Sequence, residues 1–451
     1  MNLRLRHKLV LVSVILLGVS GCQHAFVQSA AGNIEPYSPN PRYLADARGK
    51  PLLLIGDYTW GTFTDTDYDY IAMFDEVAAQ KQNFARVWLW WGTENFPAPH
   101  NKSHVVPYLR PGPGMANDGR PKYGLAQFNP AFFERLRQVC KAAQDRGIVL
   151  QLVFFDAWMI KHDYLWRLHA YCRDNNINGV DGDPGKTGKG LDGKRGFCSM
   201  DNPEVLEQQK AYMRRVIDAV APFDNVFFEI ANENFYNKDW ERHLCEFLHD
   251  YEKDKARKHL VMPLDLPNHG PCGIQTYDIR KMHANILKAY ALNQPLIFDT
   301  DGLLYPEDST VRKAMWTAFI SGINADYLDE SLQPDGKHHG DFRGTSRETL
   351  RTQLGFLSAF AHRMRFWEMR PADALLTGGF GFVLASEREM AIYVPEGGTF
   401  TLDLSTRTAT VARWYNPRTG KYLPAPGVCG GKAATLQTPS AEDWALWVRA
   451  R

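Results

Sequence analysis

The sequence predicts an α/β fold, in which a (β/α)8 TIM barrel is followed by a small C-terminal antiparallel β-sandwich domain. The chain has 451 residues, enough for a barrel of roughly 250–350 residues and a small second domain. Short apolar runs alternate with helical patterns up to about residue 372, as is typical of parallel strands joined by helices. From residue 373 the runs become short and alternating, and turns rich in Gly and Pro separate them, which indicates an antiparallel β domain.

The predicted barrel strands are short apolar runs, and several of them end in polar residues. Two of the intervening helices begin at Asn129-Pro130 and Asn202-Pro203, where Asn suits the N-cap and Pro the first helical position. In chain order, the predicted strands are Leu52–Ile55, Asn83–Trp91, Ile148–Phe155, Val226–Ala231, Leu260–Leu264, a less regular unit at 274–276, Pro295–Gly302 and Ile323–Asp329. The carboxyl ends of barrel strands form the active face of such folds, so the polar residues there are site candidates.

The first 22 residues have the pattern of an export signal and not of a folded element. A basic start is followed by an apolar run from Leu9 to Leu17, which is too short to span a bilayer. The run leads into Val19-Ser20-Gly21-Cys22, which resembles a bacterial lipobox and implies lipidation of Cys22. Secretion with loss of Cys22 is the alternative. The predicted segments are a lipoprotein signal peptide at 1–22, a tether at 23–35, the barrel at 36–372 and the β-sandwich module at 373–451. The protein is therefore expected to be exported and lipid-anchored to the cell envelope, in the outer membrane.

Charge is balanced, with 52 basic and 51 acidic residues, which argues against nucleic acid or an anionic membrane surface as a partner. The predicted contact with a membrane is the N-terminal lipid anchor alone. We expect a monomer that needs no cofactor and no metal. Export permits disulfides, and Cys172 with Cys198 is the favoured pair because they bracket one loop rich in Gly, Asp and Lys.

The predicted site is organised around the stretch Asn225–Asn234. Its first part is apolar and suits a strand buried on both faces of a parallel sheet, and it ends abruptly in Asn232-Glu233-Asn234. A strand that ends in Asn-Glu resembles the fourth strand of clan A glycoside hydrolases. The resemblance implies that Glu233 is the general acid/base, that Asn232 holds a sugar 2-hydroxyl, and that Arg86 in the second strand supports the nucleophile. The alternatives are a solvated loop carboxylate for Glu233 and a structural ion pair for Arg86.

Glycoside hydrolysis needs a second carboxylate, and the predicted seventh strand offers candidates. Clan A enzymes place a Glu nucleophile there, but this sequence has Thr300 at the matching position, between Asp299 and Asp301. Asp299 and Asp301 share one face, because side chains alternate along a strand. We favour Asp301, nearer the end of the strand, as nucleophile or base, with Asp299 second. Other open candidates are Asp326, Asp329 and Glu330. An Asp leaves more room for a water molecule and so favours inversion, whereas the resemblance implies retention.

A binding shell is predicted from polar groups that can hold hydroxyls and from aromatic rings that can stack on sugars. Its candidates at strand ends and in the following loops are Asp57, Trp60, Trp90, Trp91, Trp158, His169, His269, Asp299, Tyr327 and Asp329. Core packing is the alternative for each of them.

The long segment 161–200 is predicted to form a wall of the site. Within it, Asp174-x-Asn176-x-Asn178-Gly179 begins like a calcium loop. Gly185 stands where an EF-hand requires a bidentate Glu, so an EF-hand is excluded, and a looser calcium site is the remaining alternative.

The whole mature chain resembles apiosidase-like bacterial hydrolases, which join a clan A-type barrel to a β-module of the collagen-binding type. Three places carry the resemblance: the turn at 49–51 that leads into Gly56–Trp60, the pair Asn129-Pro130 with Phe133, and Arg413–Gly420 with Asp443-Trp444. The last of these is the most specific. Packing against the barrel or contact with glycan is the expected role of the module.

Three functions are consistent with these features. The favoured one is a surface-anchored glycoside hydrolase that acts on plant or algal polysaccharides or oligosaccharides. The second is a glycan-binding lipoprotein on a decayed barrel, motivated by the missing Glu on the seventh strand. The third is an adhesin that works through the β-module.

Overall fold

The structure is a computed structural model. It describes residues 34–46, 48–59, 61–90, 105–190, 195–234, 237–262, 276–299, 307–328, 348–407 and 410–450.

Three short antiparallel strands close one end of the barrel. They are β1 (Glu35–Pro36), β2 (Leu44–Ala45) and β3 (Pro51–Leu52). Ile34 and Leu44 from this unit pack against the first interior residues of the barrel strands, among them Leu54, Phe84 and Phe227. The end that faces the N-termini of the strands is thus sealed by apolar contacts, which leaves the carboxyl end for polar chemistry.

The barrel core is a curled parallel sheet with the strand order β7-β6-β5-β4-β9-β8. Its strands are β4 (Ile55–Tyr58), β5 (Phe84–Trp88), β6 (Val149–Asp156), β7 (Val226–Asn232), β8 (Ile297–Phe298) and β9 (Asn324–Leu328). Val261 forms a parallel bridge to Phe228, at the predicted fifth strand. Most of the less regular predicted unit at 274–276 lies outside the described residues. The predicted (β/α) barrel is confirmed.

Helices cover the outside of the sheet. They are α1 (Gly61–Thr64), α2 (Tyr70–Ala79), α3 (Pro130–Gln144), α4 (Ala157–Ile160), α5 (Asp163–Trp166), α6 (Pro203–Val220), α7 (Lys238–Glu252), α8 (Ile279–Tyr290), α9 (Asp308–Ile320) and α10 (Glu348–Ala361). Asn129 and Asn202 cap α3 and α6 as predicted, because each side chain accepts a backbone N–H of the first turn and Pro occupies the start of the helix. In the part of the chain that the structure describes, no helix is both long and apolar enough to cross a membrane.

The C-terminal domain is a β-sandwich, as predicted. Its strands are β10 (Arg370–Pro371), β11 (Leu376–Thr377), β12 (Phe382–Ala385), β13 (Glu389–Val394), β14 (Thr399–Leu402), β15 (Thr410–Tyr415), β16 (Tyr422–Pro424), β17 (Ala434–Gln437) and β18 (Trp444–Ala450). They form one six-stranded sheet and a three-stranded sheet of β11, β14 and β17. Val383, Ile392, Phe400 and Trp414 are among the residues of the shared core.

The two domains share a second apolar core, which contains residues of α9, α10 and the larger sheet. Trp316 of α9 stacks on Tyr393, with 5.4 Å between the ring centroids. The hydroxyl of Tyr415 donates to the Phe356 carbonyl of α10 at 2.8 Å. The Arg413–Gly420 motif therefore belongs to the contact with the barrel.

A buried charge network joins the same surfaces. The guanidinium of Arg312, on α9, donates to both carboxylate oxygens of Asp443 at 3.1 and 3.0 Å. Arg418 approaches Asp443 from the other side at 2.8 Å, and Tyr393 donates to it at 3.1 Å. Asp443 is 1% exposed, so its charge is compensated by two arginines from two domains.

The predicted disulfide between Cys172 and Cys198 is wrong, since both thiols are free. Cys198 is buried and close to the acidic side chains of Glu241 and Asp156. Cys172 lies on the wall of a surface cleft with Trp166 and Arg167. Although Cys172 and Cys198 bracket one loop in the sequence, the fold does not join their sulfur atoms.

Candidate functional site

The candidate site lies at the carboxyl ends of β6 and β7. The two strands are in parallel register, and their last residues, Asp156 and Asn232, are opposite each other. The amide Nδ2 of Asn232 donates to Asp156 Oδ1 at 2.7 Å. Glu233 follows directly in the left-handed region, with φ of 49°, which is unusual for a residue other than glycine. The chain therefore turns sharply away from β7 at the predicted acid/base.

Arg86 lies at the centre of the barrel and ties three strands together. Its Nε and Nη2 bind the two oxygens of Glu229 at 2.9 and 2.8 Å, and its Nη1 binds Asp299 Oδ2 at 2.7 Å. Nη2 also donates to Asn232 Oδ1 at 2.9 Å. Burial lowers the pKa of Arg86, but the charges of Glu229 and Asp299 outweigh this effect and raise the pKa well above its ordinary value. A permanent cation thus organises the interior polar layer.

Glu229 was not identified from the sequence as part of this layer. It lies in the middle of β7, is 3% exposed, and also accepts a hydrogen bond from Gln151 of β6 at 2.9 Å. The available signal was a charged residue inside an otherwise apolar strand, which needs a buried partner of opposite charge. Arg86, for which a structural ion pair was the alternative in the sequence analysis, is that partner.

Asp299 lies just after β8 and faces the same interior layer. Its Oδ1 accepts from the hydroxyl of Tyr58, and its side chain is fully enclosed. Asp301, the predicted second carboxylate, lies outside the described residues.

Glu233 is more accessible than the Arg86 layer. Its Oε2 binds Lys161 Nζ at 2.7 Å, and the two side chains are 20% and 25% exposed. Lys161 follows α4 and lies 5.9 Å above the ring of Trp158. Trp158 is partly buried, and His162 meets it edge to face at 4.7 Å. Lys161 was not predicted, and it joins the loop after β6 to the end of β7.

Asp156 is a second unpredicted residue of the site. It ends β6 and caps α4, because the backbone N–H of Met159 donates to its Oδ2 at 2.9 Å. Burial, and less strongly the negative charge of Glu233, raises the pKa of Asp156 to about 7, although its hydrogen bonds with Asn232 and Met159 act in the opposite direction. Titratable groups with shifted pKa values collect at functional sites, and this one lies next to the predicted acid/base.

Trp90 and His169 of the predicted binding shell are enclosed. His169 stacks between two indoles, 4.6 Å from Trp90 and 5.2 Å from Trp166. Burial lowers the pKa of His169 to about 3, so the imidazole is neutral near pH 7. Their partners favour the core-packing alternative, and a binding role for them stays a prediction.

Asp57 and Tyr327 face α10 and not the Arg86 layer. Asp57 accepts from the Tyr327 hydroxyl at 3.0 Å and from Arg351 of α10 at 3.1 Å. The neighbouring residue Tyr58 reaches Asp299 inside the barrel, so alternation turns Asp57 outward. These contacts favour a structural role. The other shell candidates, Trp60, Trp91, His269 and Asp329, lie outside the described residues, as does Cys22.

The predicted wall at 161–200 borders a surface cleft of about 740 Å³. Two of the calcium-like residues, Asn176 and Asn178, make hydrogen bonds to the protein backbone. Asn176 donates to the Ala170 and Val180 carbonyls at 3.1 and 2.9 Å, and Asn178 accepts from Leu125 at 2.8 Å. Among the described residues, no cluster of three or more His, Cys, Asp or Glu side chains could hold a metal.

Ser321, His283 and Asp373 have the residue types of a hydrolytic triad. His283 lies 2.7 Å from the Ser321 hydroxyl and 2.6 Å from Asp373. Ser321 is fully buried and donates its proton to the Thr317 carbonyl at 2.6 Å. It is therefore a structural link between α8, α9 and the C-terminal domain and not a nucleophile.

Two parts of the chain match known family models. Residues 98–264 match a domain of unknown function (DUF6298). Residues 382–449 match the model described as "Putative collagen-binding domain of a collagenase", in agreement with the predicted module type. No match is found among curated proteins.

Solved structures with the same architecture include several glycoside hydrolases. One named "Glycoside hydrolase" is 13% identical with a TM-score of 0.65, over 93% of this chain and 97% of that chain. A glycoside hydrolase family 5 protein from Bacteroides vulgatus is 14% identical with a TM-score of 0.63, over 93% and 94%. An α-amylase from Geobacillus thermoleovorans, complexed with acarbose, is 11% identical with a TM-score of 0.51, over 88% and 98%. At such identities the likeness confirms the fold.

Proposed function

We propose that this protein is a glycoside hydrolase that cleaves O-glycosidic bonds in plant or algal polysaccharides or oligosaccharides. The observation that carries the proposal is the position of Glu233. It is an accessible carboxylate at the carboxyl end of a barrel strand, directly after an Asn whose amide is fixed by Arg86 and Asp156. Enzymes of this architecture carry out their chemistry at that face.

Glu233 is assigned as the general acid/base. Its carboxylate is paired with Lys161 at 2.7 Å. We infer that this contact sets the direction of the Glu233 carboxyl group at the face where substrate would enter. The Trp158 ring beside Lys161 offers an apolar face for a sugar.

Asp301 is assigned as the nucleophile or base. Asp299 is less suited to this role, because its side chain is fully enclosed and engaged with Arg86 and Tyr58. A fixed Asp299 instead supports the barrel layer below the reacting atoms. The gap between Glu233 and an Asp decides the stereochemistry: about 5–5.5 Å gives retention and about 6.5–9.5 Å leaves space for water and gives inversion.

The proposal also includes a location in the cell envelope and a place among the apiosidase-like hydrolases. An apiosidase-like hydrolase anchored through Cys22 in the outer membrane would meet polymeric substrate at the cell surface. The C-terminal module would hold the barrel rigid through the Arg312–Asp443–Arg418 network. Metabolic labelling with a fatty acid tests the anchor: wild type should take up label, and Cys22→Ser should not. Equal labelling of both proteins would contradict lipidation at Cys22.

The activity test is a screen of plant and algal glycans with wild type, Glu233→Gln and Asp301→Asn. Both variants should lose activity by at least about 100-fold, because each removes one of the two carboxylates. Glu134→Gln is the matched control, since Glu134 forms an exposed helical ion pair on α3. Full activity of Glu233→Gln would refute the assignment. Tight glycan binding by wild type without turnover would instead support a binding lipoprotein.

A further inference from the structure

The side chain of Asn232 is held in a single orientation between a guanidinium and a carboxyl group. Its Oδ1 accepts from Arg86 at 2.9 Å, and its Nδ2 donates to Asp156 at 2.7 Å. A rotation of the amide by 180° would place its NH2 against the guanidinium and its oxygen against the carboxyl group. The contact of the NH2 group with the guanidinium would then be repulsive, so Arg86 selects the orientation in which Nδ2 donates to Asp156.

Both neighbours, Arg86 and Asp156, are themselves fixed by further hydrogen bonds. Arg86 is bound by two hydrogen bonds to Glu229 and one to Asp299. Asp156 is fixed by the start of α4, because Met159 N–H donates to its second oxygen. The hydrogen-bond chain therefore runs from the barrel centre through Asn232 to a helix N-terminus, and every residue in it is at most 3% exposed.

Glu233 is the next residue after the end of this chain of contacts. Its left-handed backbone conformation means that the direction of its side chain depends on how the preceding peptide is held. Asn232 is the last residue of β7, and the end of a strand can fray unless the side chain of its last residue is anchored. Asp156 supplies the anchor on the side nearest Lys161, which follows the same short helix α4.

We propose that Asp156 is a positioning residue of the active site, which acts through Asn232 to set the direction of the Glu233 carboxylate. This inference rests on the proposed function and adds a residue to it. Asp156 does not touch substrate, because it is buried beneath the site. Its role is to fix the amide and, through α4, to keep the Lys161 loop and the β7 end in one arrangement.

The variant Asp156→Ser separates positioning from helix capping. Ser is a good N-cap, so α4 keeps its cap, but the shorter side chain no longer reaches Asn232. A misplacement of about 1 Å in a catalytic group costs on the order of 100-fold in rate. We therefore expect kcat to fall by that order while KM changes little. Asn129→Ser makes a similar replacement at the N-cap of α3 and should leave kcat unchanged.

A double-mutant cycle shows whether Asp156 acts through Asn232. If it does, Asp156→Ser should add nothing to the loss caused by Asn232→Ala, because the contact that it supports is already gone. Additive losses in kcat would overturn the proposal. A loss of kcat in Asp156→Ser that is fully accounted for by unfolded protein at the assay temperature would also overturn it, in favour of a purely structural role.

Crystal structures decide the question independently of turnover. In Asp156→Ser the Asn232 amide should rotate and the Glu233 carboxylate should leave its position beside Lys161. An unmoved Glu233 would refute positioning even if the enzyme is active. Conversely, a displaced Glu233 in a protein that turns over no glycan would support the positioning role while the hydrolase function itself fails.

Discussion

Asp156→Asn should change the pH dependence of stability in a way that the structure specifies. Burial holds the folded-state pKa of Asp156 at about 7, against an ordinary value of 3.8. Between these two values the unfolded chain has lost the proton and the folded protein has kept it. A group of this kind stabilises the fold most at low pH, and its contribution is lost as the pH rises through about 7.

The magnitude follows from the size of the shift. About three pKa units at about 1.36 kcal/mol each give roughly 4 kcal/mol of stability lost by wild type between pH 4 and pH 8. Asn does not titrate, so the variant does not lose this stability. Its unfolding free energy relative to wild type should therefore rise by the same amount between pH 4 and pH 8. Asn also loses one of the two acceptor oxygens, which adds a constant cost of about 1 kcal/mol at every pH. The prediction concerns how the difference in unfolding free energy between variant and wild type changes with pH, and not its constant part.

Urea unfolding of wild type and Asp156→Asn at unit steps from pH 4 to pH 8 measures this slope. The difference in unfolding free energy should rise in favour of the variant and level off above about pH 7. Contributions from other titrating groups largely cancel in the difference. A difference that is independent of pH would show that Asp156 is ionised in the folded protein throughout, and would refute the reasoning from burial.

Two further predictions concern other charged contacts. Asp443→Asn should have the opposite pH dependence. Burial acts to raise the pKa of Asp443, but Arg312 and Arg418 outweigh it and lower the pKa below 3.8. The variant should therefore be less stable by about 3–5 kcal/mol at pH 7, with a deficit in urea unfolding that narrows below pH 3.8; an undiminished deficit at pH 2.5 would contradict the ion-pair account. Lys161→Met should lower kcat about tenfold, because one such contact positions Glu233, whereas Lys141→Met, which breaks an exposed ion pair of the same length on α3, should not. Similar kinetics for the two variants would exclude a role for Lys161.

Local sequence signals predicted the fold well. The Asn-Pro starts of α3 and α6 act within one helical turn, and the apolar runs of β5, β6 and β7 are set by burial on both faces. Such signals depend only on neighbours along the chain. The change to alternating runs after residue 373 likewise predicted the β-sandwich.

The contacts of the site could not be predicted in the same way. Lys161 and Glu233 are 72 residues apart, and Arg86 and Asp299 are 213 apart, so their pairing depends on strand order and register. Residue type suggested that Arg86 has an acidic partner, but not that Glu229 takes two of its hydrogen bonds. Asp57 was predicted to bind substrate, but its neighbour Tyr58 is the residue whose side chain points into the barrel. Alternation along a strand shows that the two side chains point in opposite directions, but it does not show which of them points inward.

The core shared by α9 and the larger C-terminal sheet has a consequence for biogenesis. Trp316 is fully enclosed and depends on Tyr393 and Tyr415 for part of its cover. During synthesis, the barrel segment is complete before these tyrosines have left the ribosome. Its last helices then present an uncovered aromatic surface, which favours aggregation until the C-terminal strands arrive. The proposed export, if it takes place before folding, would ensure that both halves are present when folding begins. Because the barrel depends on the C-terminal domain in this way, the domain could not be replaced by an unrelated one without exposing Trp316. A barrel truncated before this domain would expose the aromatic surface permanently.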